Sequence, residues 1–141
     1  MGRNPGPQWF DRCRAGQGRL SMHLIEHSLS ALYNVAHGAG LSVVIPGWMI
    51  YQAQRTPEKF AQFGERVFGI TSGPIEKKAA VGIQSLLSWF VKVKTPTSLT
   101  ALHISIQDIP KIAENAEGLT KVWGMKEYTA EKIEEILKLC V

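Results

Sequence analysis

"SMHLIEHSLSALYNVAHGAG", residues 21–40, holds three of the chain's four histidines, His23, His27 and His37. Apolar residues recur through it at helical spacing, Leu24, Leu29 and Leu32 among them, behind Ser21 as the expected N-cap. Asn34 suits the end of that helix, where a left-handed conformation is needed. Gly38 and Gly40 open a second segment. His23 and His27 are four apart and share one helix face. A bare pair at this spacing is more often two ordinary helix histidines than a site, and Glu26 directly before His27 breaks the His-Glu-x-x-His order of a zinc protease. His37 changes the reading through its setting. In one unbroken helix its alpha carbon would lie roughly 21 Å from that of His23. Metal–nitrogen bonds are about 2 Å long, so no single ion could join them. The break at 34–36 lets the chain double back and sets His37 at the mouth of the next helix, where the two glycines leave room for a ligand or another backbone.

The rest of the chain reads as helix after helix. Pro46 is expected to kink or restart the segment that follows His37. "TPEKFAQFGERVF" places Thr56 as cap and Pro57 at the first helical position, with Phe60, Phe63 and Val67 along one face. "GPIEKKAAVGIQSLLSWF" repeats Ile75, Ala79, Ile83, Leu86, Leu87 and Phe90 at helical spacing. Asp108 caps a helix through Ile112 and Ala116. "TAEKIEEILKLC" closes the chain with Thr129 as cap and Ile133, Ile136, Leu137 and Cys140 inward. Its glutamates come early and Lys138 late, which suits the helix dipole. No alternating run is long enough for a sheet. The expected fold class is all-α.

Composition bounds the function. At 141 residues, 45% hydrophobic and 20% charged, the chain has the make-up of one globular domain. Two unrelated cysteines, Cys13 and Cys140, make neither a disulfide framework nor a thiolate cluster and suit a reducing cytoplasm. The longest apolar run, Leu41 to Ile50, is too short for a bilayer, and the start has no signal-peptide core. The net charge of +4 is unevenly placed. Arg3, Arg12, Arg14 and Arg19 against Asp11 give residues 1–20 a charge of +3, leaving +1 for residues 21–141. A basic Gly/Pro-rich leader on a nearly neutral body argues against nucleic acid as the partner. The expected division is therefore a leader, 1–20, and an all-helical metal-site domain, 21–141.

"HLIEHSLSALYNVAHGAGLSVVIPGWM" resembles the signature of the iron-containing (group III) alcohol dehydrogenases, especially their butanol-dehydrogenase-like branch. The pattern is His, three residues, His, nine residues, His-Gly, then an apolar segment with Pro. Looser similarity continues through "EKFAQFGERVFGI", "TPTSL", "DIPKIAENA" and "TAEKIEEIL". The resemblance implies the C-terminal helical bundle of a two-domain, dehydroquinate-synthase-like architecture. It implies His23 and His37 as two of four protein ligands to a divalent metal, Fe²⁺ by family default with Zn²⁺ possible. It implies His27 as the catalytic residue lining the cleft, orienting substrate or relaying a proton. The family's other two ligands, an Asp and a His four apart, would lie upstream, and no Asp stands four before any histidine here. No strand–Gly-rich loop–helix unit for a dinucleotide is found either.

The resemblance thus implies part of an enzyme moving hydride between an alcohol and NAD or NADP, incompetent alone, with the nucleotide-binding domain as its missing partner. The alternative is a non-catalytic metal-binding or scaffold domain that pairs with another chain. Uncovered, an apolar group of Leu41, Val44, Ile45 and Trp48 beside the histidines would favour a homo-oligomer. The remaining conspicuous residues have ordinary readings: His103 at the surface or in a loop, Trp48, Trp89 and Trp123 as core or half-buried anchors, Glu76–Lys78 as a solvated face, Cys140 buried and Cys13 an exposed thiol.

Overall fold

Six helices follow one another in the computed structural model, which describes the backbone from Trp9 and the side chains from Ser21 onward. They are α1 (Trp9–Tyr33), α2 (His37–Ala53), α3 (Pro57–Phe68), α4 (Ile75–Lys92), α5 (Ile109–Val122) and α6 (Ala130–Lys138). Two 3₁₀ turns, Thr100–Leu102 and Ile106–Asp108, lead into α5. The described residues contain no strand, and none of the helices searched is long and apolar enough to cross a membrane. The protein is all-α, as its periodicity requires.

Local chemistry sets most of the boundaries. Asn34 stops α1 in the left-handed region, at φ 54°, where its short polar side chain is tolerated. Pro57 opens α3, where a missing N–H costs nothing, and Gly69 closes it at φ 70°. The Thr129 hydroxyl accepts from the Lys132 N–H at the start of α6. Two expected boundaries are absent. Helix α1 passes through residue 20, so Ser21 is a buried interior residue and no cap. All side chains of the expected leader, 1–20, Cys13 included, lie outside the described residues. Helix α2 runs unbroken through Pro46. Eight of its residues are buried, spread around its circumference, and packing on that scale outweighs the roughly 3 kcal/mol cost of an interior proline.

That burial makes α2 the centre of the molecule. One core joins α1, α2, α5 and α6 around Ile25, Leu29, Val43, Val44, Ile112 and Ile136. A smaller one packs Met49 against Phe60, Ala61, Ala79 and Ile83 of α3 and α4. Buried Ser42 ties α2 to the 95–99 turn, its hydroxyl within 2.6 Å of the Pro96 carbonyl. Leu99 then donates its N–H to the Cys140 carbonyl at 2.7 Å. Burial pushes the Cys140 thiol up to about 12, so it serves as a packed apolar group.

The side chains expected inward are not all inward. Val67, Ile75, Trp89 and Trp123 are exposed, because a periodic apolar stripe is wider than the surface its neighbours cover. Lys78 is not simply solvated; it pairs with Glu65 of α3. Val44 is fully buried, while Leu41, Ile45 and Trp48 are half-buried. The apolar group expected to flank the histidines is thus largely part of the core.

Helices α3 and α4 touch backbone to backbone. A Cβ on Gly82 would stand 2.8 Å from the Gly64 Cα, and one on Gly64 would stand 2.8 Å from the Lys78 carbonyl oxygen. Neither clash is relieved by turning a side chain. Gly82→Ala is expected to destabilise by about 1–2 kcal/mol, overpacking exceeding the gain of roughly 1 kcal/mol in helix propensity. Gly64→Ala should behave alike, and the double variant should cost less than the sum, since helices already forced apart admit the second methyl. Urea unfolding of the three variants measures this; a stabilised Gly82→Ala would refute the close contact.

Candidate metal centre

The site grows out of the α1–α2 reversal. His23 and His27 lie one turn apart on α1, three residues without helix follow Tyr33, and His37 is the first residue of α2. The reversal brings all three rings together. The His23 and His37 centroids are 5.5 Å apart with planes inclined by 26°. Those of His27 and His37 are 5.4 Å apart at 48°. His27 and His37 are exposed and His23 is half-buried. His103 is exposed too, on the turn before Ile104 at φ 59°, and takes no part.

A fourth residue belongs to the group. Glu26, on α1 between His23 and His27, is fully buried, and its Oε2 accepts from Nδ1 of His37. Its Oε1 lies 2.5 Å from the Ser30 hydroxyl, which is also 2.9 Å from the Val35 carbonyl. One ligand atom each from Glu26, His27 and His37 fall within 4.8 Å of one another. His23 is not in that threesome; its ring stacks on that of His37.

The glycines of α2 divide the work. A Cβ on Gly38 would meet nothing within 4 Å, so open space lies beside His37. A Cβ on Gly40 would stand 2.6 Å from Glu26 Oε1. The room that Gly40 leaves is taken by a side chain of this chain, not by a ligand or another backbone. Sequence reading missed Glu26 as a member of the site. Its only signal was an acid beside Leu24, Ile25, Ser28 and Leu29, four residues that are all buried.

Chemically the group suits a divalent cation. Imidazoles are ligands for Fe²⁺ and Zn²⁺ alike. A histidine bonded through one ring nitrogen to a carboxylate, with the other nitrogen free, is the usual outer-shell arrangement at such ions. Met22, Ile45, Trp48, Met49, Phe60 and Phe63 help to line a mainly apolar cavity of about 420 Å³. Met22 is the neighbour of His23 in sequence, and Trp48, expected as a core or half-buried anchor, is half-buried on this cavity's wall.

Residues 15–141 match the model of the Fe-containing alcohol dehydrogenase family, C-terminal. The chain belongs to that family. Among its relatives, NADH-dependent butanol dehydrogenase B of Clostridium acetobutylicum is 33% identical over 129 residues, covering 86% of this chain and 32% of the relative. Probable NADH-dependent butanol dehydrogenase 1 of Bacillus subtilis is 28% identical over 124 residues, with the same coverage. The crystal structure of NADH-dependent butanol dehydrogenase A from Thermotoga maritima superposes with a TM-score of 0.78 at 38% identity, again over 86% of this chain and 32% of that one. The chain therefore spans about a third of the length of these relatives, and the part matched is their C-terminal domain.

Proposed function

We propose that this chain forms the metal-bearing wall of an NAD(P)-linked alcohol dehydrogenase that interconverts an alcohol with its aldehyde or ketone. The observation that carries the reading is the convergence of His23, His27 and His37 across a chain reversal. In it, His23 and His37 hold a divalent ion, Fe²⁺ first and Zn²⁺ second, together with two ligands from the rest of the enzyme. Bound there, the ion supplies Lewis acidity to the substrate oxygen. The residues of this chain do the remainder. His27, exposed and one turn from His23, faces the substrate and holds or passes the hydroxyl proton. The apolar cavity beside Trp48 receives an aliphatic chain and keeps water from it, in keeping with relatives named for butanol. The nucleotide-binding domain of the full enzyme brings the nicotinamide, and a cytoplasmic setting supplies the cofactor.

Joining this chain to the nucleotide-binding half of a butanol dehydrogenase relative tests the proposal. Loaded with Fe²⁺ or Zn²⁺, the fusion should reduce NAD or NADP on addition of a primary alcohol and stop on adding a chelator. The 141-residue chain by itself should bind metal weakly and turn over nothing. A fusion that folds and binds both metal and dinucleotide, yet transfers no hydride, overturns the assignment.

A further inference from the structure

A carboxylate buried completely, one residue from an exposed histidine, asks for a reason. Glu26 has none of the solvent that a surface acid enjoys, and burying a charge is costly unless donors meet it. Two do: the Ser30 hydroxyl one turn along α1, and Nδ1 of His37 across the helix pair. The fold also reserves space for it. Gly40 lies three residues after His37 on α2, and a methyl there would collide with Oε1 at 2.6 Å and Cγ at 2.7 Å. So Glu26 reaches from α1 over the first turn of α2, through a recess only glycine provides, to one ring nitrogen.

We propose that Glu26 is a positioning residue: it fixes His37 in the Nδ1–H tautomer, leaving the lone pair on Nε2 as the one that a metal can take, with Gly40 as the recess that admits it. The chemistry follows from the inventory of donors and acceptors. An ionised carboxylate only accepts, so the shared proton belongs to Nδ1. Nδ1 is then used up, and His37, with half its side chain open, has a single nitrogen to offer. A carboxylate on Nδ1 also holds the ring against rotation, which strengthens its bond to a cation. The purpose assigned to this contact rests on the metal reading above; the contact itself does not.

The experiment keeps the two apart. In the metal-free 141-residue chain labelled with ¹⁵N-histidine, long-range ¹H–¹⁵N spectra report the tautomer of each ring, with His37 assigned by its loss in His37→Ala. The wild type should show Nδ1–H at His37. Glu26→Gln keeps the shape but adds a donor, and should give a mixture of tautomers. Gly40→Ala leaves every donor in place, displaces the carboxylate, and should do the same. Titrating Zn²⁺ against these signals should show affinity about tenfold or more weaker in both variants, the range expected when an outer-shell partner is lost. Thermal melts separate this from a merely structural tie between α1 and α2, which would lower stability without moving the tautomer.

A wild-type His37 protonated on Nε2 overturns the proposal, and that spectrum decides even if a variant fails to fold. Folded variants that keep both the Nδ1–H tautomer and wild-type affinity overturn it as well. A tautomer fixed by Glu26 in a chain whose histidine signals ignore Zn²⁺ supports the positioning contact and counts against the metal reading instead.

Discussion

His37→Ala and His23→Ala should each lower kcat/KM of the complete, metal-loaded enzyme on the order of a thousandfold, roughly 4 kcal/mol of transition-state stabilisation. The proposed ion depends on both imidazoles, and a shell reduced from four protein ligands to three both binds less metal and misplaces it. Stability should separate the two. His37 is one of the two donors that meet buried Glu26, so His37→Ala should cost about 1–3 kcal/mol as that carboxylate loses a partner. His23 is half-buried and stacks on the His37 ring, and His23→Ala should cost under about 1 kcal/mol. His27→Ala should separate from this pair. Its metal content should hold while turnover falls about a hundredfold, the usual share of a positioned proton-transfer group. That split also decides a point of geometry. Glu26, His27 and His37 each bring one ligand atom within 4.8 Å of the others, so a His27→Ala enzyme that loses its metal while His23→Ala keeps it would transfer the ligand role from His23 to His27. Metal analysis of the purified variants beside steady-state rates gives the answer.

The second large effect is on the fold. Ile136→Ala should cost about 4 kcal/mol, towards the upper part of the range for deleting a fully enclosed aliphatic side chain. Helix α6 has nine residues, too few to persist alone in water, so its packed face holds it. Ile133, Ile136 and Leu137 are all fully buried. Helix α6 and the residues just after it lie so close to α2 that a Cβ on Gly47 would collide with the Cys140 sulfur and stand 3.1 Å from the Ile136 carbonyl oxygen. Backbones already in contact have little freedom to collapse into a void, which keeps the cavity and its cost. Val122→Ala, on an exposed residue at the end of α5, should stay within about 0.5 kcal/mol. Urea midpoints for the two variants test the contrast. A small effect at Ile136 would mean that α6 docks loosely.

Much of the architecture was legible from neighbouring residues. Asn34, Pro57 and Thr129 mark helix ends by conformational limits and hydrogen bonds that act within one turn. The periodicity of Ile112 and Ala116, and of Ile133, Ile136 and Leu137, names faces that are indeed buried. The same local reading failed at Ser21 and Pro46. A capping residue signals a start only if the preceding chain cannot be helical, and a proline stops a helix only if packing cannot offset it. Trp89 and Trp123, expected as core or half-buried anchors, are exposed, because an amphipathic side chain does not tell whether another element arrives to cover it.

At the site, the sequence by itself determined which imidazoles could meet. The His-x-x-x-His spacing, the break at 34–36 and His37 at the next helix start are all local facts, and they suffice to turn three rings towards one place. Only the tertiary structure decided what holds them there. That Glu26 crosses to Nδ1 of His37, and that Gly40 is small on its account, are relations between residues on two helices. Each depends on the distance and rotation with which α1 packs on α2, and that packing is set by Ile25, Leu29, Val43 and Val44 in a shared core. A carboxylate among apolar neighbours looks, along the chain, like one charge more on a helix; buried between two helices, it must find donors, and His37 is one of them.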